Sequence, residues 1–181
     1  RDSMIFSDGA GATIIEKVED EHDNGIIAHE SATFATDEAF YLTFEASYNQ
    51  ELKRETRYIK MNGRKIYNFA LSYVPQAMKN CLDKSGYGID EISKIFIHQA
   101  NEKMDQAICE RFYKLYDKEM PEHVMPMSIA ELGNSSVATL PTLLDLVKKN
   151  QLENQHIEKG DVVIFASVGA GMNINALVYK I

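Results

Sequence analysis

Two short, unbroken apolar runs constrain the fold of this chain more than any other feature. They are Ile95-Phe96-Ile97, flanked by Lys94 and His98, and Val162-Val163-Ile164-Phe165-Ala166. A strand with one wet face alternates apolar and polar residues; a run apolar at every position reads as a strand covered on both faces. Helices must then lie on both sides of the sheet that holds them. The sequence offers those helices. Ile66, Phe69, Ala70, Tyr73, Val74, Ala77, Met78 and Cys81 recur at three- and four-residue steps, one apolar stripe of a long helix. Pro75 lies inside it, where it removes an interior hydrogen bond or kinks the helix. A second helix is expected over 102–116, with Met104, Ala107, Ile108, Phe112 and Leu115 inward. A third is expected over 136–150, with Val137, Leu140, Leu143, Leu144 and Val147 inward and Pro141 early in it.

Weaker strand signals complete the order. Residues 12–16 follow the Gly-rich stretch Ser7-Asp8-Gly9-Ala10-Gly11. Residues 26–34 follow the turn Asp23-Asn24-Gly25. Residues 40–44 and 174–179 read as two more. Residues 45–60, polar and charged, read as a surface excursion. The order β-β-β-α-β-α-α-β-β gives an α/β chain with a mixed sheet covered by helices. At 181 residues it is expected to be a single domain over 1–181, long enough to bury roughly 70% of its unfolded surface.

Charge and cysteine count narrow the function classes. The net charge of −8 argues against broad nucleic-acid binding, which needs a basic face. No apolar run nears the ~18 residues of a membrane span, and the first residues lack a signal segment. Two cysteines, Cys81 and Cys109, cannot staple a disulfide scaffold, so a reducing cytoplasm is the expected compartment. Three residues precede Met4, so the chain is expected to be cut from a longer one.

Three segments could carry chemistry. His98 ends a buried strand just before a helix, where open α/β sheets bind ligands; a partly buried histidine satisfying backbone groups fits the same position equally well. Gly133-Asn134-Ser135-Ser136 precedes the third helix. Its polar residues are ordinary caps, yet Gly133 permits an unusual turn that presents the Asn134 amide to an oxygen gaining charge. Val168-Gly169-Ala170-Gly171 reads as a hairpin turn, or as a source of a backbone N–H for an oxyanion. Neither glycine loop completes a dinucleotide fingerprint, since Ile14 and Ile174 stand at its last position. His22, His29, His123 and His156 match no zinc spacing, so no metal is expected. Both cysteines read as packing residues within helices.

Taken together, His98-Gln99-Ala100-Asn101, Gly133-Asn134-Ser135-Ser136 and Val168-Gly169-Ala170-Gly171 resemble the C-terminal half of the β-ketoacyl-acyl-carrier-protein synthase III family. Ser7-Asp8-Gly9-Ala10-Gly11-Ala12 is similar to that family's Gly-Asp-Gly-Ala-Gly-Ala segment, with Ser7 in place of the first Gly. Met61-Asn62-Gly63 before the long helix and Pro141 in the third also fit. The likeness runs in order over nearly the whole chain.

The resemblance implies a thiolase-like fold of two similar halves, of which this chain is the second. It implies a decarboxylative Claisen condensation of an acyl-CoA starter with malonyl-acyl-carrier protein in fatty acid biosynthesis. His98 and Asn134 then stabilise the enolate, and the Ala170 N–H holds the second oxyanion. Lys103 stands where the family has an Arg that meets the carrier or CoA phosphates; it keeps the charge and loses the bidentate geometry. The family's nucleophilic Cys belongs to the first half, so this chain alone is expected to be inactive. No cofactor is implied beyond the two thioester substrates. The implied partners are acyl carrier protein, acyl-CoA, the chain's own N-terminal half and a second copy in a homodimer. Two other readings stand beside this one: a non-catalytic thiolase-like domain that binds acyl-CoA or a carrier protein, and a condensing enzyme of a specialised pathway. An apolar face left open for the first half is also expected.

Overall fold

The computed structural model describes residues 2–17 and 24–181; His22 and Asp23, the latter in the turn expected before the second strand, lie outside them. Among the described residues there are six strands: β1 (Gly25–Thr33), β2 (Leu42–Ala46), β3 (Arg57–Met61), β4 (Ile92–Ile97), β5 (Val162–Gly169) and β6 (Asn173–Lys180). The α-helices are α1 (Gly63–Ser85), α2 (Glu102–Lys114), α3 (Ile129–Leu132) and α4 (Thr139–Lys148). The main sheet has the order β1-β6-β5-β4. Strands β4 and β5 are parallel, and the other pairs are antiparallel. The sheet is therefore mixed, as expected.

The two apolar runs pair directly, Ile95 with Ile164, Phe96 with Phe165 and Ile97 with Ala166. Their side chains divide between two cores. Ile95, Ile97, Ile164 and Ala166 join α1 and α2 on one face. Phe96 and Val163 join Leu143 and Val147 of α4 on the other. This second face is covered only along the β4–β5 side. Over β5 and β6 it opens into a trough lined by Leu140, Pro141, Leu144, Phe165, Leu177 and Tyr179. The trough measures about 1360 Å³, larger than the roughly 300–1,000 Å³ of a small-ligand site.

Pro75 does not break α1, which runs unbroken for 23 residues. The missing N–H frees the carbonyl four residues back, that of Leu71. Arg111 of α2 supplies the substitute, its Nη1 donating to Leu71 O at 3.0 Å. Asn62 caps the start, its side chain accepting from Lys65 N, and Gly86 ends the helix at φ 81°.

Three expectations change. Residues 12–16 form no strand, and Ile14 is 93% exposed. Their β-branched residues suit a strand, but no strand pairs with them among the described residues. Within 45–60 a strand does form, β3, because β2 is there to pair with it from Leu42–Met61 to Ala46–Arg57. The third helix begins as a 3₁₀ turn over Ser136–Ala138 and becomes α-helical at Thr139, and the four-residue α3 precedes it. Pro141 sits in the first turn of α4, where a missing N–H leaves no bond unmade.

Candidate functional site

The site forms at the C-terminal end of β4. The apolar run carries β4 into the core, and the last hydrogen bond of its ladder, His98 N to Ala166 O at 2.9 Å, fixes where the chain leaves the sheet. Asn101 then starts α2 by accepting from Met104 N at 3.1 Å. His98 is thus held between a strand end and a capped helix start, and its ring is largely withdrawn from solvent.

Gln99 ties this turn to a second segment. Its Nε2 donates to Pro126 O at 2.9 Å, and its Oε1 accepts from Ser128 N at 2.9 Å and Ser128 Oγ at 3.2 Å. The side chain is fully buried and its amide is satisfied on both ends. Ser128 O in turn accepts from Leu132 N at 2.9 Å, which winds α3 and delivers the chain to Gly133. Gly133 adopts φ 65°, ψ −164°, a region open essentially to glycine alone. A Cβ there would also lie 3.3 Å from Ser7.

Asn134 follows. It is buried, and its Oδ1 accepts from Ser136 N at 2.9 Å. Ser136 takes φ 54°, a left-handed conformation in which a non-glycine residue is strained. With Oδ1 committed, the orientation of the amide is set and Nδ2 is the end left for another group. Nδ2 makes no hydrogen bond among the described residues, which leaves this donor uncommitted there.

The two segments meet at Ser136. Burial pushes the His98 pKa below its usual 6.5, and the Ser136 backbone beside the ring pulls it back up. A carbonyl oxygen near the ring N–H has that sign. His98 is therefore a neutral imidazole at pH 7, within reach of the loop that bears Asn134.

A third segment, absent from the sequence reading of the site, holds Asn134 from the other side. Asn134 N donates to Ile5 O and Ser7 N donates to Asn134 O, each at 2.9 Å, and Ser7 Oγ donates to Leu132 O. The glycines of the Ser7–Ala12 stretch permit this close passage. A Cβ on Gly9 would lie 2.8 Å from Ser135 Cβ, and one on Gly11 2.2 Å from Pro141 Cγ. The stretch read as a turn before a strand is instead a strap over the 132–141 segment. No local signal marks it, since both partners lie far away in the chain.

The other two expected residues share no side-chain hydrogen bond with this pair among the described residues. Ala170 is exposed at the tip of the β5–β6 hairpin, its carbonyl accepting from Asn173 Nδ2 at 2.8 Å. Lys103 is exposed in the first turn of α2 and belongs to no ion pair among the described residues. Cys81 and Cys109 are buried, and burial raises both thiols above their usual pKa, which opposes the thiolate a nucleophile needs. Among the described residues no cluster of three or more His, Cys, Asp or Glu could hold a metal, and no helix is long and apolar enough to cross a membrane.

Comparison with known proteins agrees with this arrangement. Residues 82–181 match the family model described as 3-oxoacyl-[acyl-carrier-protein (ACP)] synthase III C terminal. The β-ketoacyl-[acyl-carrier-protein] synthase III of Porphyra umbilicalis is 32% identical over 184 residues, which cover 98% of this chain and 52% of the relative. That of Acaryochloris marina is 28% identical over 187 residues, 99% of this chain and 52% of the relative. The chain spans about half the length of the curated relatives it matches. The crystal structure of 3-oxoacyl-[acyl-carrier-protein] synthase III from Aquifex aeolicus superposes with a TM-score of 0.72 at 22% identity, over 90% of this chain and 46% of that one. The fold is accordingly the thiolase-like α/β fold, with this chain supplying about half of it.

Proposed function

The chain belongs to the 3-oxoacyl-[acyl-carrier-protein] synthase III family through residues 82–181, and on that premise we propose that it is the C-terminal half of an acyl-transferring condensing enzyme of fatty acid synthesis. The observation that carries the reading is the meeting of His98 and Asn134 at Ser136, with the Asn134 Nδ2 uncommitted.

In the proposed reaction a malonyl thioester, delivered on acyl carrier protein, sets its carbonyl oxygen against this pair. The C–CO₂ bond breaks, its electron pair enters the enolate, and charge gathers on that oxygen. Asn134 Nδ2 donates to it, and so does the one N–H of the neutral His98 ring. A preorganised donor at such a position contributes about 3–4 kcal/mol. The enolate carbon then attacks an acyl group held as a thioester on a cysteine of the first half, and the thiolate leaves. The Ala170 N–H is the proposed second oxyanion donor, and Lys103 the proposed contact to the carrier or CoA. The trough over β5 and β6 is the proposed seat of the first half. By itself the chain is then inactive. The same buried thiols fit a second reading, a thiolase-like domain that binds acyl-CoA or a carrier without reacting.

The test uses the full-length protein. His98→Ala and Asn134→Ala should each lower malonyl decarboxylation and condensation by about 10²–10³, with thioester binding retained. Unchanged rates in both variants refute the enzyme reading; binding without turnover in the wild type selects the second.

A further inference from the structure

We infer that Ser7 is a positioning residue for the enolate step: its hydroxyl locks the Gly133 turn that aims the Asn134 amide. The inference rests on the role proposed for Asn134. It assigns the precision of that role to a side chain 125 residues before the carbonyl it holds.

The glycine before Asn134 makes the turn possible and also makes it soft. Gly133 takes φ 65°, ψ −164°, and a residue without a Cβ reaches many other conformations at little cost. Any swing of its two torsions moves Asn134 Nδ2. The preceding helix gives little hold, since α3 has only four residues and the last carbonyls of a helix lack partners within it. The torsions are set by the two peptide planes that flank Gly133. The Gly133–Asn134 plane is held where Asn134 N donates to Ile5 O at 2.9 Å. The Leu132–Gly133 plane is held at both ends. Gly133 N donates to Ile129 O at 3.0 Å, and Leu132 O, one of the orphan carbonyls, accepts from Ser7 Oγ.

Ser7 thereby grips the loop at two points. Its N–H donates to Asn134 O at 2.9 Å, and its Cβ and Oγ each lie 3.3 Å from where a Cβ on Gly133 would stand. Phe6 and Asn134 form a single parallel bridge. One bridge fixes where two segments cross; a second point of attachment fixes the angle between them. The bond to Leu132 O is exposed, so water can replace it and its contribution to stability is small. Water satisfies the carbonyl but does not tie it to Ile5–Ser7. The synthase III segment that Ser7–Ala12 resembles has Gly in place of Ser7, which keeps the backbone bond and lacks the hydroxyl. The second grip comes from this chain's own substitution.

The experiment is steady-state malonyl decarboxylation by the full-length protein, with Ser7→Ala alone and combined with Asn134→Ala. Ser7→Ala should lower kcat about three- to tenfold, because a donor held loosely spends less time in the productive geometry. KM for the malonyl thioester and the thermal midpoint should stay as in the wild type. In the Asn134→Ala background the same substitution should remove no more than about a further twofold, since the group it aims is gone. Hydrogen exchange in the Ser7→Ala protein should quicken over residues 132–136 and stay as in the wild type over 98–101. An unchanged kcat, unaltered exchange over 132–136, or an equal loss in both backgrounds overturns the inference, the last by making Ser7 merely structural. The function fails separately: full decarboxylation by Asn134→Ala removes the proposed role and this inference with it, whereas an impaired Asn134→Ala beside an unimpaired Ser7→Ala removes the inference alone.

Discussion

Asp105 offers the sharpest test of how this fold balances its stability. It lies on the inner face of α2, is fully buried, and both carboxylate oxygens lack a hydrogen-bond partner among the described residues. Burial raises its pKa from 3.8 to about 8, opposed by the nearby backbone of Asn101 and Ala100 and reinforced by Glu102. The carboxyl is therefore protonated in the folded chain at pH 7 and ionised in the unfolded one. Below about pH 4 both states hold the proton and ionisation costs nothing. As pH rises from there to about 8, the unfolded state gains by releasing it, and stability falls by about 1.4 kcal/mol per pH unit. Over the whole interval that is about 6 kcal/mol, a ceiling that relaxation and water entry reduce to about 2–4 kcal/mol, still large against a typical 5–15 kcal/mol. Asp105→Asn keeps the shape and removes the charge. Urea unfolding of the full-length protein, followed by circular dichroism from pH 5 to 8, should show the variant gaining on the wild type throughout, most at pH 8. His98 acts with the opposite sign, since its lowered pKa removes stability as pH falls through 6.5 and below; the difference between the two proteins cancels it. A wild-type-minus-variant difference that does not change with pH refutes the reasoning.

Three further outcomes are expected. Arg111→Met should cost about 1.5–3 kcal/mol by orphaning Leu71 O, and much less in a Pro75→Ala background, where the restored N–H takes that carbonyl; a double-mutant cycle of unfolding free energies with no coupling counts against the substitution of one donor for the other. Gln99→Ala should cost about 2–4 kcal/mol, because Pro126 O and Ser128 N lose their partner inside the protein, and hydrogen exchange should quicken over residues 126–136; unchanged exchange there means the clamp is not Gln99. Gly11→Ala should lower the thermal midpoint, since its Cβ would lie 2.2 Å from Pro141 Cγ, and Pro141→Ala should restore part of the loss; full stability in the single variant shows that the strap does not lie over α4.

How much of this was legible in the sequence depends on the range of the forces involved. Strands β4 and β5 announce themselves because sealing both faces of a strand calls for consecutive apolar side chains, as at Ile95–Ile97 and Val162–Ala166, and α1 because its stripe follows the helical period. His98 is findable from its place at a strand end, and Asn134 from the glycine before it. The strand β3 is not, since its residues are exposed or half-buried and only pairing with β2 makes it a strand. Residues 12–16 fail for the converse reason: they carry β-branched side chains suited to a strand and have no described neighbour to pair with.

The amino-acid pattern alone sets the mixed α/β fold, the covered central strands and the residue types that the family chemistry needs. What those residues touch is settled by packing in three dimensions. Arg111 repairs Pro75 from another helix, Ile5–Ser7 strap Asn134 from more than a hundred residues away, and Gln99 joins two turns that no local pattern links. Periodicity reports which face of an element is buried. Which partner meets that face, and whether a buried group such as Asp105 finds one, is set when distant segments pack and compete for the same hydrogen bonds.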